Sequence, residues 1–589
     1  NGVPESLEEA FTYFTDEERP FGSNMYGFSD RITANGRPYQ FVNPHFPWDG
    51  PERLWLMHIM HPEADMHGVS LHGAPAVLIG FNDHVAWSHT VSTAFRFTFY
   101  ELKMVGPTSY QFDAGTRELE AVDITIDVLE PGGNITQQSR TLYNSHYGPM
   151  VVIAADILDW SASQAFTLRD ANIENTRLLK HFFEWNKATS LDNFTETQRD
   201  NIAVPWVNTT AVGSSGDAYY SDQTVVPNVP DSHVASCNSG AAHQAVQALV
   251  PGLPVMDGSR SACDWLNDED APADGIFGPS NLPSQVREDW VTNCNNSYWL
   301  TNPDEPIEGF ARIIGDESAE RSYRTRLCIR QAQELEDLPD EDFTLEKLQE
   351  TVLSSRILTA ENELQTVLDN ICSSDSLFVS NGDAQGQNVD ISVACTVLTN
   401  WTTRNNLDDI GGHIWRQFFR ELNDANASIW NTPYSNDDPA NTPRGLNTNS
   451  IEVTNAFGNA VARLQDRNVD LSAPIRDIQY DFDGDGNRIP IFGGAGTDGS
   501  FTIIGFERSV PNDDGYGRAT FGNSIVNTVT WNDDGVDAYG FLTYSQSTDP
   551  ASPFFSNLTQ RYSDKDWYRW PFHEDDIEAA KVSELRLQE

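Results

Sequence analysis

The chain is poor in cysteine and has no long apolar run. It has six Cys among 589 residues and no Cys-x-x-Cys spacing, which argues against a disulfide-built scaffold and against a zinc ribbon. No apolar run reaches the roughly 18 residues that a membrane helix needs, so we expect no membrane span. The chain also lacks Gly-x-Ser-x-Gly, His-Glu-x-x-His and a Gly-Lys-Ser/Thr phosphate loop, so the common hydrolase and nucleotide-binding signatures are missing.

Basic side chains are scarce as well. Lys and Arg total 37 against 87 Asp and Glu, which gives a formal net charge of −50, and only six of the basic residues are Lys. A surface this negative repels phosphate backbones and anionic headgroups, so we expect neither nucleic acid nor a membrane surface as a partner. Acidic, Lys-poor surfaces stay hydrated in concentrated salt. A halophilic or marine source is therefore one hypothesis, and an ordinary solvated acidic surface is the other.

The composition is that of a globular protein with a large core. Hydrophobic residues make up 39% and aromatic residues 11% of the chain. It starts at Asn1 without an initiator Met or a visible signal peptide, so we expect it to begin inside a longer precursor. Short alternating runs predict strands on both sides of a helical region, an α+β fold with packed sheets. The predicted divisions are a linker at 1–22, the first part of the core at 23–310, a mainly helical insertion at 311–450 and C-terminal strands at 451–589.

Three local patterns give further structural predictions. An apolar stripe predicts a helix over residues 176–198, and a short amphipathic piece predicts another at residues 8–14. Residues 122–128 alternate Val/Ile with Asp/Thr, the pattern of a half-buried antiparallel strand. Two cysteine pairs flank loops that a disulfide would close: Cys237 with Cys263, and Cys372 with Cys395.

Two clusters raise the question of a metal. Four histidines lie close together without matching a zinc pattern, and we interpret them as ordinary surface or core residues: His58, His61, His67 and His72. The segment 481–487 matches the front half of a calcium loop, with Asp481, Asp483 and Asp485 as candidate ligands. Its twelfth position is Phe492 rather than a bidentate Glu, so a plain turn is the favoured interpretation. We predict no metal and no cofactor.

The dipeptide Gly22-Ser23 has the composition of a self-cleavage site. A Ser that follows Gly in a constrained loop can attack the preceding carbonyl through its hydroxyl, and the resulting ester then hydrolyses. The product is a Ser with a free α-amine of pKa roughly 8, low enough to accept the hydroxyl proton near neutral pH. One residue then supplies both nucleophile and base. A Gly-Ser dipeptide alone is weak support, because most lie in ordinary loops.

The sequence around Ser23 resembles the β-subunit start of the penicillin acylase family, a branch of the N-terminal nucleophile hydrolases. The form Asn-Pro-His-Phe-Pro-Trp at 43–48 is most similar to the acyl-homoserine lactone acylases and aculeacin-type acylases. Further matching motifs follow in family order, at 80–91, 205–209, 257–260, 295–299, 324–326, 489–494 and 545–550. The resemblance implies a four-layer αββα fold with a helical insertion, and an amidohydrolase that is cut between Gly22 and Ser23.

The resemblance also implies a role for each matched residue. Ser23 is the nucleophile, with its own α-amine as the base, and His45 orients or polarises it. The backbone N–H of Val91 and the side-chain amide of Asn295 form the oxyanion hole, where such donors contribute a few kcal/mol each. Arg324 holds the site together.

Two of these assignments have a rival. Asn295 is preferred over Asn293 because it opens the Asn-Asn-Ser element, and Arg324 is preferred over Arg321. An apolar pocket for the acyl group is expected from residues that would otherwise be plain core: Phe46, Leu71, Trp206 and Trp185.

The predicted substrates are amides with a hydrophobic acyl group, N-acyl-homoserine lactones first. A β-lactam or lipopeptide acylase is the alternative within the same class. A non-catalytic, acidic, calcium-binding extracellular protein is the alternative from another class. The resemblance further implies an α-subunit cut from the same precursor and a periplasmic or secreted location. If the bond between Gly22 and Ser23 is intact, the α-amine is blocked and the chain is an inactive precursor.

Overall fold

Two large sheets face each other at the centre of the molecule. The computed structural model of the chain describes residues 22–153, 158–423 and 429–587, so the helix predicted at 8–14 lies outside the described residues. The sheets approach closely at Gly27, where a Cβ would lie 3.3 Å from a side-chain carbon of Val212 and 3.5 Å from that of Ala218. A side chain at this position would push the sheets apart.

The first of them, the Ser23 sheet, has the strand Gly22–Phe28 next to its edge strand. The order across the sheet is Trp290–Asn293, Gly22–Phe28, Tyr39–Pro47, Ile525–Asn532, Gly535–Leu542 and Tyr568–Arg569. Two further strands extend the sheet beside the end of Tyr39–Pro47: Ala519–Asn523 pairs with that strand, and Ile504–Phe506 pairs with Ala519–Asn523.

The second, the Val91 sheet, has seven strands, and all of its pairs are antiparallel. Their order across the sheet is Ser284–Arg287, Ala218–Ser221, Val207–Gly213, Val85–Val91, Ile79–Asn82, Ala64–Leu71 and Leu54–His61.

Helices cover the outer face of each sheet. Leu178–Asn186 and Leu191–Asn201 pack on the Val91 sheet through a cluster that contains Trp87 and Trp185. On the Ser23 sheet, the hydroxyl of Tyr26 donates to a backbone carbonyl of the helix Tyr323–Glu336 at 2.9 Å. The order helix, sheet, sheet, helix is the four-layer αββα arrangement, so the predicted α+β fold class is confirmed.

The helix predicted at 176–198 is two helices rather than one. The first ends at Asn186 and the second begins at Leu191, after Ser190, whose hydroxyl accepts the N–H of Asn193 at 3.1 Å. The apolar stripe continues across the break because both helices cover the same sheet. The stripe therefore does not show that a new helix begins after Ser190, the residue that caps its N-terminus.

The helical region is longer than the sequence predicted. A 16-residue helix at Ile451–Asp466 follows directly on position 450, so the prediction of strands from 451 is wrong at its start. The helix packs in the same apolar cluster as Leu358–Asn370 and Gly412–Asn423. The remaining helices are Asp231–Cys237, Ala241–Leu249, Leu345–Val352, Ser392–Thr399, Ile475–Ile478, Asn557–Asp564 and Glu574–Ala580.

The strand predicted at residues 122–128 forms, but its burial was predicted wrongly. It belongs to a hairpin of two ten-residue strands, Glu120–Leu129 and Ile135–Asn144, in which Ile126 is 56% exposed. The alternation of apolar and polar residues therefore identified a strand with one apolar face, but it did not show whether other parts of the chain cover that face.

The described residues also form smaller sheets. Four have two strands each: Ser109–Phe112 with Gly115–Glu118, Ser376–Phe378 with Asn388–Asp390, Trp430–Thr432 with Arg444–Leu446, and Tyr480–Phe482 with Arg488–Pro490. Another has four strands: Met150–Val151, Gln164–Asp170, Phe97–Lys103 and Val255–Asp257.

All six cysteines form disulfides. The two pairs suggested by the sequence, Cys237 with Cys263 and Cys372 with Cys395, are both present. The third bridge joins Cys294 to Cys328. It ties the loop that contains Asn295 to the helix that contains Arg324.

Neither of the clusters considered for metal binding has the geometry of a metal site. His58 bonds to Asp65 at 2.5 Å, whereas His67 is buried beside Phe81. In the loop 481–487, the carboxylate of Asp483 accepts backbone N–H groups of its own turn at 2.8 and 2.9 Å, which is the plain-turn geometry. Among the described residues, no group of three or more potential ligands converges.

We expect acid to destabilise the helix layer of the Val91 sheet through His181. This side chain is fully buried, and neither ring nitrogen has a hydrogen-bond partner. Burial, with the charges of His89, Lys180 and Arg177 adding to it, lowers the pKa of His181 to about 3. Because the pKa is lower in the folded state than the ordinary 6.5, the stabilisation is complete above about pH 6.5 and is lost as the pH falls toward 3.

Between pH 7 and pH 4, the free energy of unfolding should therefore fall by about 3 kcal/mol less in His181→Phe than in the wild type. Urea unfolding followed by tryptophan fluorescence at each pH measures the difference. The exposed His84→Phe is the control for residue type. Equal acid dependence in wild type and His181→Phe would contradict the prediction.

Candidate active site

Ser23 lies at the start of a strand that is paired on both sides, and its hydroxyl is directed at the bond that it is predicted to cut. The chain runs unbroken from Gly22 into Ser23, and Ser23 lies opposite Pro44 in the strand register. The Oγ of Ser23 donates to the carbonyl oxygen of Gly22, which places the predicted nucleophile against the peptide bond at which a cut is predicted. Ser23 is 1% exposed, so the uncut site is closed to solvent.

Asn295 lies beside this bond, in the loop after the strand Trp290–Asn293. Its backbone has a φ of 73°, a left-handed conformation that Asn tolerates better than most residues. Its Oδ1 accepts the N–H of Ser23 at 2.5 Å and Nη2 of Arg324 at 2.9 Å. Its Nδ2 donates to the carbonyl of Val91 at 3.0 Å. Two donors on one side and an acceptor on the other fix the orientation of the amide.

Val91 ends its strand with its peptide groups turned toward Asn295. It lies opposite Val207, and the next residue, Ser92, donates its N–H to the carbonyl of Trp206 at 2.9 Å. Hydrogen-bonded and non-bonded pairs alternate in an antiparallel ladder, so the pair of Val91 with Val207 is a non-bonded one. The N–H of Val91 therefore points away from Val207, to the side on which its carbonyl binds Asn295.

Arg324 binds Ser23 at its carbonyl group, one peptide beyond the bond to Gly22. Its Nη1 donates to the carbonyl of Ser23 and to Oδ1 of Asn24, both at 2.7 Å. The rival Arg321 binds Ser297 at 2.8 Å and lies over the ring of Trp299 instead. Of the two arginines, Arg324 is the one that contacts the nucleophile.

Asn293 has a supporting position rather than a contact with Ser23. Its Oδ1 accepts the hydroxyl of Thr90 at 2.6 Å and the N–H of Asn295 at 2.9 Å. The amide of Asn208 also reaches it, at 3.3 Å. These bonds set the loop in which Asn295 takes its left-handed conformation. Sequence reasoning missed this role, although both Asn208 and Asn293 lie in or beside matching motifs.

His45 pairs with Gly22 across the strands, and its ring is fully buried. A Cβ added to Gly22 would lie 3.2 Å from Nδ1 of His45, 3.4 Å from Oδ1 of Asn295 and 3.5 Å from Nη2 of Arg324. Burial, together with the charge of Arg324, holds the pKa of His45 well below its ordinary value. His45 is therefore neutral at neutral pH, and the missing side chain of Gly22 leaves room for three functional groups to meet.

A model of the penicillin amidase family matches residues 3–579. The chain belongs to the penicillin amidase family. It is 35% identical over 570 residues to aculeacin-A acylase of Actinoplanes utahensis, and 33% identical over 568 residues to acyl-homoserine lactone acylase PvdQ of Pseudomonas fluorescens strain Pf0-1. Each alignment covers 95% of this chain and 69% of the relative. The protein is therefore an amidohydrolase of the N-terminal nucleophile type.

A solved structure shares the fold. Thermostable penicillin G acylase from Alcaligenes faecalis superposes with a TM-score of 0.62, covering 96% of this chain and 99% of that one, at 15% sequence identity. Among the described residues, no helix combines the length and apolarity needed to cross a bilayer.

The four residues predicted for the acyl pocket differ in their exposure. Trp206 is 59% exposed directly before the strand that pairs with Val91, and Leu71 is 36% exposed at the end of its strand. Phe46 is half-buried, one residue after His45. Trp185 is fully buried, stacked on Phe194 with ring centroids 4.2 Å apart, so in the uncut chain it is a core residue with no surface for a substrate.

Proposed function

We propose that this amidohydrolase, once cut between Gly22 and Ser23, hydrolyses the amide bond of N-acylated small molecules, N-acyl-homoserine lactones first. One observation carries the proposal: three side chains meet at the peptide between Gly22 and Ser23. The hydroxyl of Ser23 donates to the Gly22 carbonyl, Oδ1 of Asn295 accepts the Ser23 N–H, and the guanidinium of Arg324 donates to the Ser23 carbonyl. The choice of substrate class is supported by the PvdQ relative, whose name gives its activity as an acyl-homoserine lactone acylase.

In the proposed reaction, the freed α-amine of Ser23 takes the proton from Oγ as Oγ attacks the substrate carbonyl. The N–H of Val91 and the side-chain amide of Asn295 hold the oxyanion that develops. The amine leaves with that proton, an ester on Oγ remains, and water hydrolyses it. Arg324 fixes Asn295 and the Ser23 carbonyl during these steps. The proposed steps use groups of the polypeptide and one water molecule, so the proposal includes no cofactor.

We further infer that the chain works as a heterodimer with an α-subunit cut from the same precursor. The two relatives are longer than the matched region, since the alignments cover 69% of each. The exposed faces of Trp206 and Leu71 are apolar surface that such a subunit would cover while completing the acyl pocket.

A periplasmic or secreted location fits the same proposal. All six cysteines are paired in three disulfides, and such bonds persist in oxidising compartments.

A lipopeptide or β-lactam acylase is the second candidate, favoured by the 35% identity to aculeacin-A acylase. The two candidates differ in the size of the leaving amine rather than in chemistry. The acyl pocket alone does not separate them.

N-terminal sequencing and a substrate panel test the proposal. The purified full-length precursor should yield a chain that starts Ser-Asn-Met-Tyr at Ser23. The cut enzyme should then release homoserine lactone from acyl-homoserine lactones of graded chain length, measured by mass spectrometry. Penicillin G and a lipopeptide serve as competing substrates. Cut, folded protein that hydrolyses penicillin G or the lipopeptide but no acyl-homoserine lactone would select the second candidate, and hydrolysis of no member of the panel would overturn both.

A further inference from the structure

We infer that Asn24 is a positioning residue, which holds His45 in one tautomer and Arg324 in place beside the scissile bond. This inference rests on the proposed function, because it concerns how that site is ordered. Asn24 follows the nucleophile directly and is fully buried. Its side chain joins groups from three separate parts of the chain.

The contacts of Asn24 fix the orientation of its amide. Oδ1 accepts Nη1 of Arg324 at 2.7 Å, so the oxygen lies on the side of the guanidinium. Nδ2 donates to the carbonyl of Phe501 at 2.8 Å, so the nitrogen lies on the opposite side. Arginine cannot accept a hydrogen bond and a carbonyl cannot donate one, so rotating the amide by half a turn would break both bonds.

The orientation of Asn24 in turn determines the tautomer of His45. Nδ2 of Asn24 has a second proton, and it lies 3.4 Å from Nε2 of His45. A neutral imidazole has one donor nitrogen and one acceptor nitrogen. With Nε2 as the acceptor, the proton is on Nδ1. Because the buried His45 is neutral, this choice between tautomers is the one that matters at neutral pH.

The tautomer of His45 determines which group of its ring faces Gly22. Nδ1 is the ring atom nearest Gly22, 3.2 Å from where a Cβ on that residue would lie. Asn24 therefore directs an N–H donor, rather than a lone pair, at the Gly22 side of the bond. Through Arg324 the same amide also acts on Asn295, since Nη1 holds Asn24 while Nη2 holds Oδ1 of Asn295.

A direct test measures the tautomer. In wild-type protein labelled with ¹⁵N-histidine, two-bond ¹H–¹⁵N correlations should show His45 protonated at Nδ1, with the signal identified by its loss in His45→Gln. In Asn24→Asp the carboxylate accepts instead of donating, so the proton should move to Nε2. This variant keeps an acceptor for Arg324, whose charge compensates the buried carboxylate. An unchanged tautomer in Asn24→Asp would overturn the inference.

Kinetics provide the second test, with a matched control. Asn24→Ser removes the amide, and Asn43→Ser removes the facing buried amide of the neighbouring strand, which binds Asn523 and not His45 or Arg324. In the full-length precursor, Asn24→Ser should slow self-cleavage at least about tenfold, and in the cut enzyme lower kcat by a similar factor with KM within about twofold. Asn43→Ser should cut and turn over at close to the wild-type rate.

The outcomes separate the two proposals. If wild-type protein cuts itself and hydrolyses amides while Asn24→Ser behaves like Asn43→Ser, only the role of Asn24 fails. If wild-type protein never cuts itself, the proposed function fails, and the tautomer measurement still decides whether Asn24 orders His45.

Discussion

Replacing Ser23 by Ala should leave the bond between Gly22 and Ser23 intact and abolish amide hydrolysis. The hydroxyl of Ser23 is bonded to the carbonyl of Gly22, so it is the group placed to attack that bond. After the cut, the same oxygen is the proposed nucleophile toward substrate. Removing the nucleophile of a serine hydrolase costs on the order of 10⁶ in kcat. Intact mass measurement of the purified precursor and a homoserine lactone release assay record the two losses.

The matched control is Ser29→Ala, the same substitution at a buried serine just past the far end of the same strand. It should cut itself and retain activity. Ser23→Cys keeps a nucleophile at the same position and should restore part of the self-cleavage, because a thiolate can attack the same carbonyl. A Ser23→Ala precursor that still appears as a chain starting at position 23 would show that another group, or a protease, makes the cut.

Strand pairing explains why three of the predicted site residues lie close together in the fold. Ser23 and His45 lie on neighbouring strands whose register puts Gly22 opposite His45. Asn295 follows the strand that pairs with Gly22–Phe28 on its other side, with Met25 opposite Asn293. Motifs on paired strands come together whenever the strands do, which accounts for Ser23, His45 and Asn295. Arg324 lies on a helix and Val91 in the other sheet, so their positions depend on how the layers pack.

The helix at Ile451–Asp466 shows why part of the fold was not predictable. It contains Gly458 and two buried asparagines, all poor helix formers. Asn455 and Asn459 are there because they bind the loop at 380–384, with Asn459 accepting the N–H of Ala384 at 2.9 Å. At Gly458 a Cβ would lie 2.5 Å from a side-chain carbon of Val379. These residues make tertiary contacts that stabilise the helix although their helix propensities are low. A prediction from helix propensity alone therefore missed it.

The bridge from Cys294 to Cys328 was also beyond local sequence reasoning, and it connects the fold to the site. The two cysteines are 34 residues apart and lie on a loop and on a helix. Cys294 immediately precedes Asn295, and Cys328 lies one helical turn after Arg324. The disulfide therefore ties the loop of Asn295, the proposed oxyanion donor, to the helix of Arg324, which binds it, and this constraint appears only when the helix is packed on the sheet.

Replacing Asn295 by Ala should lower kcat by about 10² to 10³, the loss that follows removal of one side-chain oxyanion donor. It should also slow self-cleavage, because Oδ1 of Asn295 holds the N–H of the scissile bond at 2.5 Å. Rates of precursor cutting and of homoserine lactone release measure the two effects separately. The neighbouring Asn296→Ala is the control, since its Oδ1 binds the N–H of Ser322 and not the nucleophile.

The variant Asn295→Asp separates the role of the amide oxygen, which accepts hydrogen bonds, from that of the amide nitrogen, which donates them. A carboxylate keeps the oxygen that Ser23 and Arg324 bind, but it loses the donor that lies on Val91 in the uncut chain. If catalysis depends on the donor, Asn295→Asp should hydrolyse substrate as poorly as Asn295→Ala while cutting itself faster, since the contact to the scissile N–H survives. Hydrolysis by Asn295→Asp at the wild-type rate would contradict the oxyanion role. Nδ2 of Asn295 has two N–H groups, and only one of them is bonded to the Val91 carbonyl in this structure, so the second is the donor that the proposed oxyanion would use.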